Sequence, residues 1–193
     1  MAVFFAAAMD TDHPLIERTR DGDLRAFEEL LDRHSEVVHR VAARIVGRDH
    51  AEDISQDAFL RAFHRLPSYR GEASFRAWLL QITHHAAVNA VARRREVTDP
   101  AAVEEAEDSS AARMPADLLE DRERRDRLEL KLGRLRPEHR AVLVLRDLEG
   151  FSYEEIAEIT ETPLGTVKGR LHRARGELIE LLRANTYDWD LPR

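Results

Sequence analysis

The stretch TPLGTVKGRLHRAR, from Thr162 to Arg175, holds Lys168, Arg170, Arg173 and Arg175, with His172 among them and no acid. Cations on a helix can meet the phosphates of duplex DNA, and arginine can also reach base edges. At helical spacing Lys168, Gly169, Arg173 and His172 share one side, while Val167 and Leu171 fall on another. The preceding FSYEEIAEIT carries Glu154, Glu155 and Glu158 outward and Ile156 and Ala157 inward. A short acidic helix, a tight turn and a basic helix make a helix-turn-helix pattern. A solvated basic face on an ordinary helix accounts for the same charges.

Other elements must hold this pair in place. Ser152, with Glu155 three residues on, predicts a capping box, and Thr162-Pro163 predicts the cap and first position of the last helix. Upstream, Leu128, Leu132 and Leu135 form a stripe. Pro137 opens a helix with Ala141, Val142, Leu145 and Leu148 inward, ending near Gly150. Nearer the start, Phe27, Leu30, Leu31, Val38, Val41 and Ile45 predict a helix ending near Gly47. A second helix carries Ile54, Ala58, Phe59, Ala62 and Phe63 and stops at Pro67. SYRGEAS (Ser68 to Ser74) reads as a loop. Ser74 caps a third helix with Phe75, Trp78, Leu79, Ile82 and Ala86 on its inner side.

The fold class is therefore all-α: two small helical domains joined by a flexible acidic linker. Residues 10–97 form the first domain, 98–121 the linker, 122–184 the second domain and 185–193 a tail. The 193-residue chain has a net charge of −7. From Glu96 to Asp121 nine acids face one base, a net charge of −8, so the rest of the chain carries +1. The acidity belongs to the linker, whose Ala, Ser and Pro and lack of apolar periodicity predict disorder.

With no cysteine, the chain has no disulfide, thiolate metal site or cysteine nucleophile, which fits a cytoplasmic location. No apolar run is long enough to insert in a membrane. Residues 1–9 read as a non-native or disordered start, with Met9 an alternative initiation point. His84 and His85 are adjacent and His34 and His39 five apart, so neither pair has the spacing of a helical two-histidine site. Neither metal nor other cofactor is expected.

EGFSYEEIAEITETPLGTVKGRLHRARGEL, with LRPEHRAVLVLRDLEG leading into it, closely resembles the promoter-reading helix-turn-helix of extracytoplasmic function (group 4) RNA polymerase sigma factors, within the primary-sigma superfamily. Independently, AEDISQDAFLRAFHRLPSYRGEASFRAWLLQITHHAAVNAVARRR resembles the other domain of that group. Both occur in the family's order, and together they cover most of the chain.

The resemblance implies a protein that is not an enzyme. It would bind core RNA polymerase at the clamp coiled coil and flap, direct it to promoter DNA and help open the duplex. Asp53, Gln56, Asp57, Phe59 and Arg61 match the clamp-docking surface, although Phe59 reads equally well as core. Tyr69, Arg70, Gly71, Glu72 and Ser74 match the loop that captures an unstacked base of the minus-ten element. Such a loop supplies an aromatic or guanidinium face for stacking and polar groups for base edges. Phe75 and Trp78 read as core. Gln81, His84, His85, Asn89, Arg93 and Arg94 match the minus-ten reading face, and Thr166, Lys168, Gly169, Arg170, His172, Arg173 and Arg175 the minus-thirty-five reading helix.

The sequence departs from the family at three positions: His85 where Asn is usual, Asn89 where Asp is frequent, and Gly169 where Ser is common. The linker is expected to thread the polymerase's nucleic-acid channel, and an anti-sigma factor is an expected partner. The alternative is a conventional operator-binding regulator, which leaves Ala51 to Arg95 without a role.

Overall fold

The computed structural model describes residues 11–97 and 127–184, with helix as the dominant element. The acidic linker, residues 1–10 and the tail from 185 lie outside the described residues. Helix α1 (His13–Arg20) has Pro14 in its first turn and buries Leu15, Ile16 and Thr19. The sequence reading did not anticipate it as a separate helix. Gly22, at φ 95°, turns the chain into α2. That helix (Leu24–Val46) starts where the Asp23 carboxylate accepts from Arg25 N–H at 3.1 Å. It buries Ala26, Leu30, Val37, Val38, Val41 and Ile45 at helical spacing. It ends at Gly47, as the sequence predicts, with φ 91° closed to most side chains.

Helix α3 (Ala51–Arg65) buries the small residues Ala51, Ser55, Ala58 and Ala62, which let it pack closely on its neighbours. A single 3₁₀ turn (Leu66–Ser68) leads into the loop and then α4 (Phe75–Val97). Ser74 caps α4 as predicted: its hydroxyl accepts from Ala77 N–H at 3.2 Å.

The second domain begins with α5, residues 127–134. Helix α6 (Pro137–Leu143) opens on Pro137 and continues into a π-helical turn, Val144–Leu148. There Glu149 N–H donates to Val144 C=O at 3.0 Å, five residues back. Helices α7 (Tyr153–Thr160) and α8 (Leu164–Arg183) complete it.

The two domains also touch one another. Helix α4 packs against α7, and the π-helical turn lies on α2. Buried apolar residues from both domains form one continuous cluster, from Leu15 and Ile16 through Leu79 and Leu80 to Ile156 and Leu171.

Candidate nucleic-acid and polymerase interface

Helix α7 is fixed at its start by the predicted capping box. The Ser152 hydroxyl accepts from Glu155 N–H at 3.1 Å, and the Glu155 carboxylate accepts from Ser152 N–H at 2.7 Å. Ser152→Ala is expected to lower stability by about 1 kcal/mol, read as a shifted midpoint in urea unfolding with an unchanged m-value.

The turn that follows departs from the sequence reading. Glu161 adopts the left-handed conformation at φ 50°, and Pro163, not Thr162, is the N-cap of α8. The Thr162 hydroxyl lies 2.9 Å from that of Thr160, whose own hydroxyl donates to Ile156 C=O at 2.7 Å. The Pro163 carbonyl instead accepts from Thr166 N–H at 2.8 Å and Val167 N–H at 3.1 Å.

Helix α8 buries Val167, Leu171 and Ala174 along one stripe, at i, i+4 and i+7. That stripe turns Thr166, Lys168, His172, Arg173 and Arg175 outward and leaves Gly169 and Arg170 half-buried. A groove of about 540 Å³ opens between α8 and the start of α6; Arg136, Arg170 and Arg173 line it together with Glu138, His139, Thr166, Gly165 and Gly169. A Cβ at Gly169 would meet only the tip of Arg173, at 3.9 Å, so packing does not require glycine there. Arg175 is set apart from the other bases. It makes paired hydrogen bonds to Asp147 at 2.9 and 2.5 Å, and that carboxylate raises its pKa.

In the first domain Asp53 and Gln56 are exposed on α3. Gln56 donates to Glu52 at 2.8 Å, and Arg61 pairs with Asp57 at 2.8 Å. Phe59 is half-buried and packs on the core. The residue missed in sequence is Leu60, 59% exposed. Positions 53, 56, 57 and 60 follow i, i+3, i+4, i+7 spacing, so Leu60 is the apolar member of that polar stripe.

The loop expected to take an unstacked base is held from behind. Tyr69 is 8% exposed, and its hydroxyl donates to Ala73 C=O at 2.6 Å. Its ring packs on Trp78 and Phe75, at centroid distances of 5.0 and 5.9 Å. In this conformation it offers no stacking face to a base, which corrects the role given to it from sequence. Arg20 of α1, also missed, donates to the carbonyls of Tyr69 and Leu66 and pins the loop. Arg70, Gly71, Glu72 and Ser74 remain exposed.

On α4, Asn89 and Arg93 are exposed and Gln81 is half-buried. Arg94 departs from its expected position on the reading face. Its guanidinium turns inward to Val46 C=O at 3.3 and 3.4 Å, capping the end of α2, and burial lowers its pKa. His85 meets Glu161 at 3.2 Å.

His84, matched from sequence to the minus-ten reading face, is likewise turned away from solvent. It is 5% exposed, and its Nδ1 has no hydrogen-bond partner among the described residues. Burial, then the neighbouring His85 and Arg170, pushes its pKa down from 6.5 to about 4. The unfolded chain therefore takes up this proton first as the pH falls. The stability tied to neutral His84 is complete above pH 6.5 and drains away toward pH 4, by on the order of 3 kcal/mol. His84→Leu is expected to flatten this part of the stability–pH curve, measured as the difference between wild-type and variant unfolding from pH 7 to pH 4.

Two family models match in chain order: Sigma-70 region 2 over residues 30–97 and Sigma-70 region 4 over residues 125–178. The ECF RNA polymerase sigma-E factor of Haemophilus influenzae is 36% identical, over 88% of this chain and 94% of its own length. The sigma-E factor of Escherichia coli is 35% identical, over 86% and 91%. The chain belongs to the ECF RNA polymerase sigma factors.

The sigma factor is also similar to solved structures across both domains. CnrH, solved in complex with the cytosolic domain of CnrY, aligns with a TM-score of 0.68 and 27% identity, over 91% of this chain and 99% of that one. The sigma factor RpoE of Bartonella quintana, solved with the anti-sigma factor NepR, aligns at 0.61 and 30%, over 82% and 98%. In the sigma factor described here, α3, α4 and the loop before α4 fall within the region 2 match, and α7 with most of α8 within the region 4 match.

Proposed function

We propose that this sigma factor docks on the clamp coiled coil of core RNA polymerase through the Asp53–Gln56–Asp57–Leu60 stripe of α3 and on the flap through its second domain. It reads the minus-ten element with the loop before α4 and with Gln81, His85, Asn89 and Arg93, and the minus-thirty-five element with α8. The observation that carries this reading is the placement of Arg170 and Arg173 in an open groove on a helix held by a capped helix-turn-helix. A phosphate backbone fits such a groove, and the side chains beyond it project as a base-reading row would.

It acts in the cytoplasm, as a specificity subunit rather than an enzyme. The acidic segment 98–121 passes through the polymerase's nucleic-acid channel, a role favoured by its charge. An anti-sigma factor holds the chain inactive, a reading supported by the solved complex of the Bartonella relative.

The docking face is tested by co-sedimentation with sigma-free core polymerase. The wild-type chain is expected to travel with core, and Leu60→Asp to lose that association at least tenfold, because a carboxylate would be desolvated in the contact. Unchanged association of the variant contradicts the assignment of α3.

A further inference from the structure

From Leu66 to Ser74, between α3 and α4, only Leu66 and Tyr69 are buried. A segment this exposed has little core contact to fix its backbone, and three ties do so instead. The Tyr69 hydroxyl donates to Ala73 C=O at 2.6 Å and draws the two ends of the loop together. The Ser74 hydroxyl fixes the start of α4, accepting from Ala77 N–H at 3.2 Å. The third tie comes from α1, which lies against the 3₁₀ turn. Arg20 Nη2 donates to the Tyr69 carbonyl, and its Nε and Nη2 each reach the Leu66 carbonyl at 3.4 Å. Between the ties stand Arg70, Gly71 and Glu72, with Gly71 at φ 74° turning the chain.

Arg20 is itself aimed. Glu17, one helical turn earlier, accepts from its Nη1 at 2.6 Å, and the Arg20 side chain is 29% exposed. A guanidinium carries donors on three nitrogens in one rigid plane, so one edge can hold a carboxylate while the rest hold two carbonyls. A lysine ammonium is a single point and cannot span all three. Hydrogen bonds from a cation are also stronger than those between neutral groups. The Tyr69 carbonyl immediately precedes Arg70, so fixing that peptide fixes the direction in which residues 70–72 leave the domain.

We propose that Arg20 is a positioning residue for base capture: by holding the Leu66 and Tyr69 carbonyls it sets the receiving shape of the loop before DNA arrives. This rests on the assignment of that loop to an unstacked base of the minus-ten element. A captured base orders the segment that receives it, and a loop already ordered has less freedom to lose. Arg20 acts through the Tyr69 peptide and not by touching the base. Helix α1 precedes the residues matched to Sigma-70 region 2, so this contribution comes from outside the matched domain.

The test uses holoenzyme assembled from the full-length chain and core polymerase. The probe is a fluorescent fork-junction DNA built on a promoter found by run-off sequencing, with binding read as anisotropy. Its non-template strand carries an abasic site at each minus-ten position in turn. For the wild-type chain, one position is expected to weaken binding far more than its neighbours, and this marks the captured base. Arg20→Met keeps an unbranched stem and loses the donors. It is expected to bind the intact fork about tenfold more weakly than wild type, yet to match wild type on the fork that lacks the captured base. A merely destabilised fold would weaken binding to every fork alike. Tyr69→Phe keeps the ring and loses the tie to Ala73, and the same pattern is expected of it. Arg20→Lys is expected to recover only part of the loss, and it carries the same comparison if Arg20→Met fails to fold in urea titration.

A wild-type holoenzyme indifferent to every abasic site overturns the base-capture reading of the loop, and this proposal with it. One sensitive position, with the Arg20 variants binding the intact fork as tightly as wild type, overturns the role of Arg20 and leaves the loop assignment standing. An equal loss by those variants on all forks, including the one without the captured base, overturns it as well.

Discussion

Phe75→Ala is expected to destabilise the sigma factor by about 3–5 kcal/mol. Phe75 is 1% exposed and opens α4 directly behind the loop. Its ring lies 5.4 Å from His34, 5.6 Å from Trp78 and 5.9 Å from Tyr69. His34 in turn meets the buried Asp12 at 2.7 Å, so the cavity would open between α1, α2 and the loop. Loss of the ring removes the support that holds Tyr69 inward. The expected result is a lower urea midpoint, with slow duplex opening as a secondary effect. A variant that kept wild-type stability but failed to open promoter DNA would show Phe75 acting on a base rather than in the core.

Substitution of Arg170 and Arg173 together by alanine is expected to lower promoter-dependent initiation about a hundredfold or more. Each arginine that reaches a phosphate or base edge contributes about 1–3 kcal/mol, and 1.4 kcal/mol is a factor of ten. Each lost phosphate contact also reduces the salt slope of holoenzyme binding by about one. Arg175→Ala, by contrast, removes a base already committed to Asp147, and a much smaller loss is expected. Gly169→Ser is expected to be tolerated, since only the flexible tip of Arg173 lies near the added atom. Holoenzyme binding to a promoter duplex over a series of salt concentrations separates these cases. Equal losses for the Arg170/Arg173 pair and for Arg175 would indicate a general field effect rather than contacts in the groove.

Much of the local structure is legible in sequence because it depends on neighbours along the chain. Ser152 and Glu155 lie within one helical turn, Gly47 ends α2 by its own backbone freedom, and Pro137 opens α6 by its ring. What sequence spacing could not reveal depends on distant partners. Tyr69 looks exposed in SYRGEAS, yet Arg20 reaches its carbonyl from 49 residues away, and Trp78 and Phe75 close over its ring. His84 looks like its neighbour His85 until the second domain packs against α4. Arg94 reads as one of a basic run, but the open end of α2 offers it a carbonyl. Phe59 drew attention for its size, whereas the stripe of exposed positions on α3 passes through Leu60. Glu149, an acid before a glycine, gives no sign in sequence of sitting between two arginines of another domain, Arg40 and Arg44. The division into two helical domains follows from periodicity and resemblance, but their contact is visible only in three dimensions.

The central claim is that this chain gives core polymerase a promoter preference. Run-off transcripts from a fragmented genomic library of the host, made with sigma-free core polymerase and the purified chain, test it most directly. The account predicts discrete transcript starts, each preceded by two shared motifs at a fixed separation. Sequence-specific DNA binding in the absence of core, with no added transcripts in its presence, would contradict it.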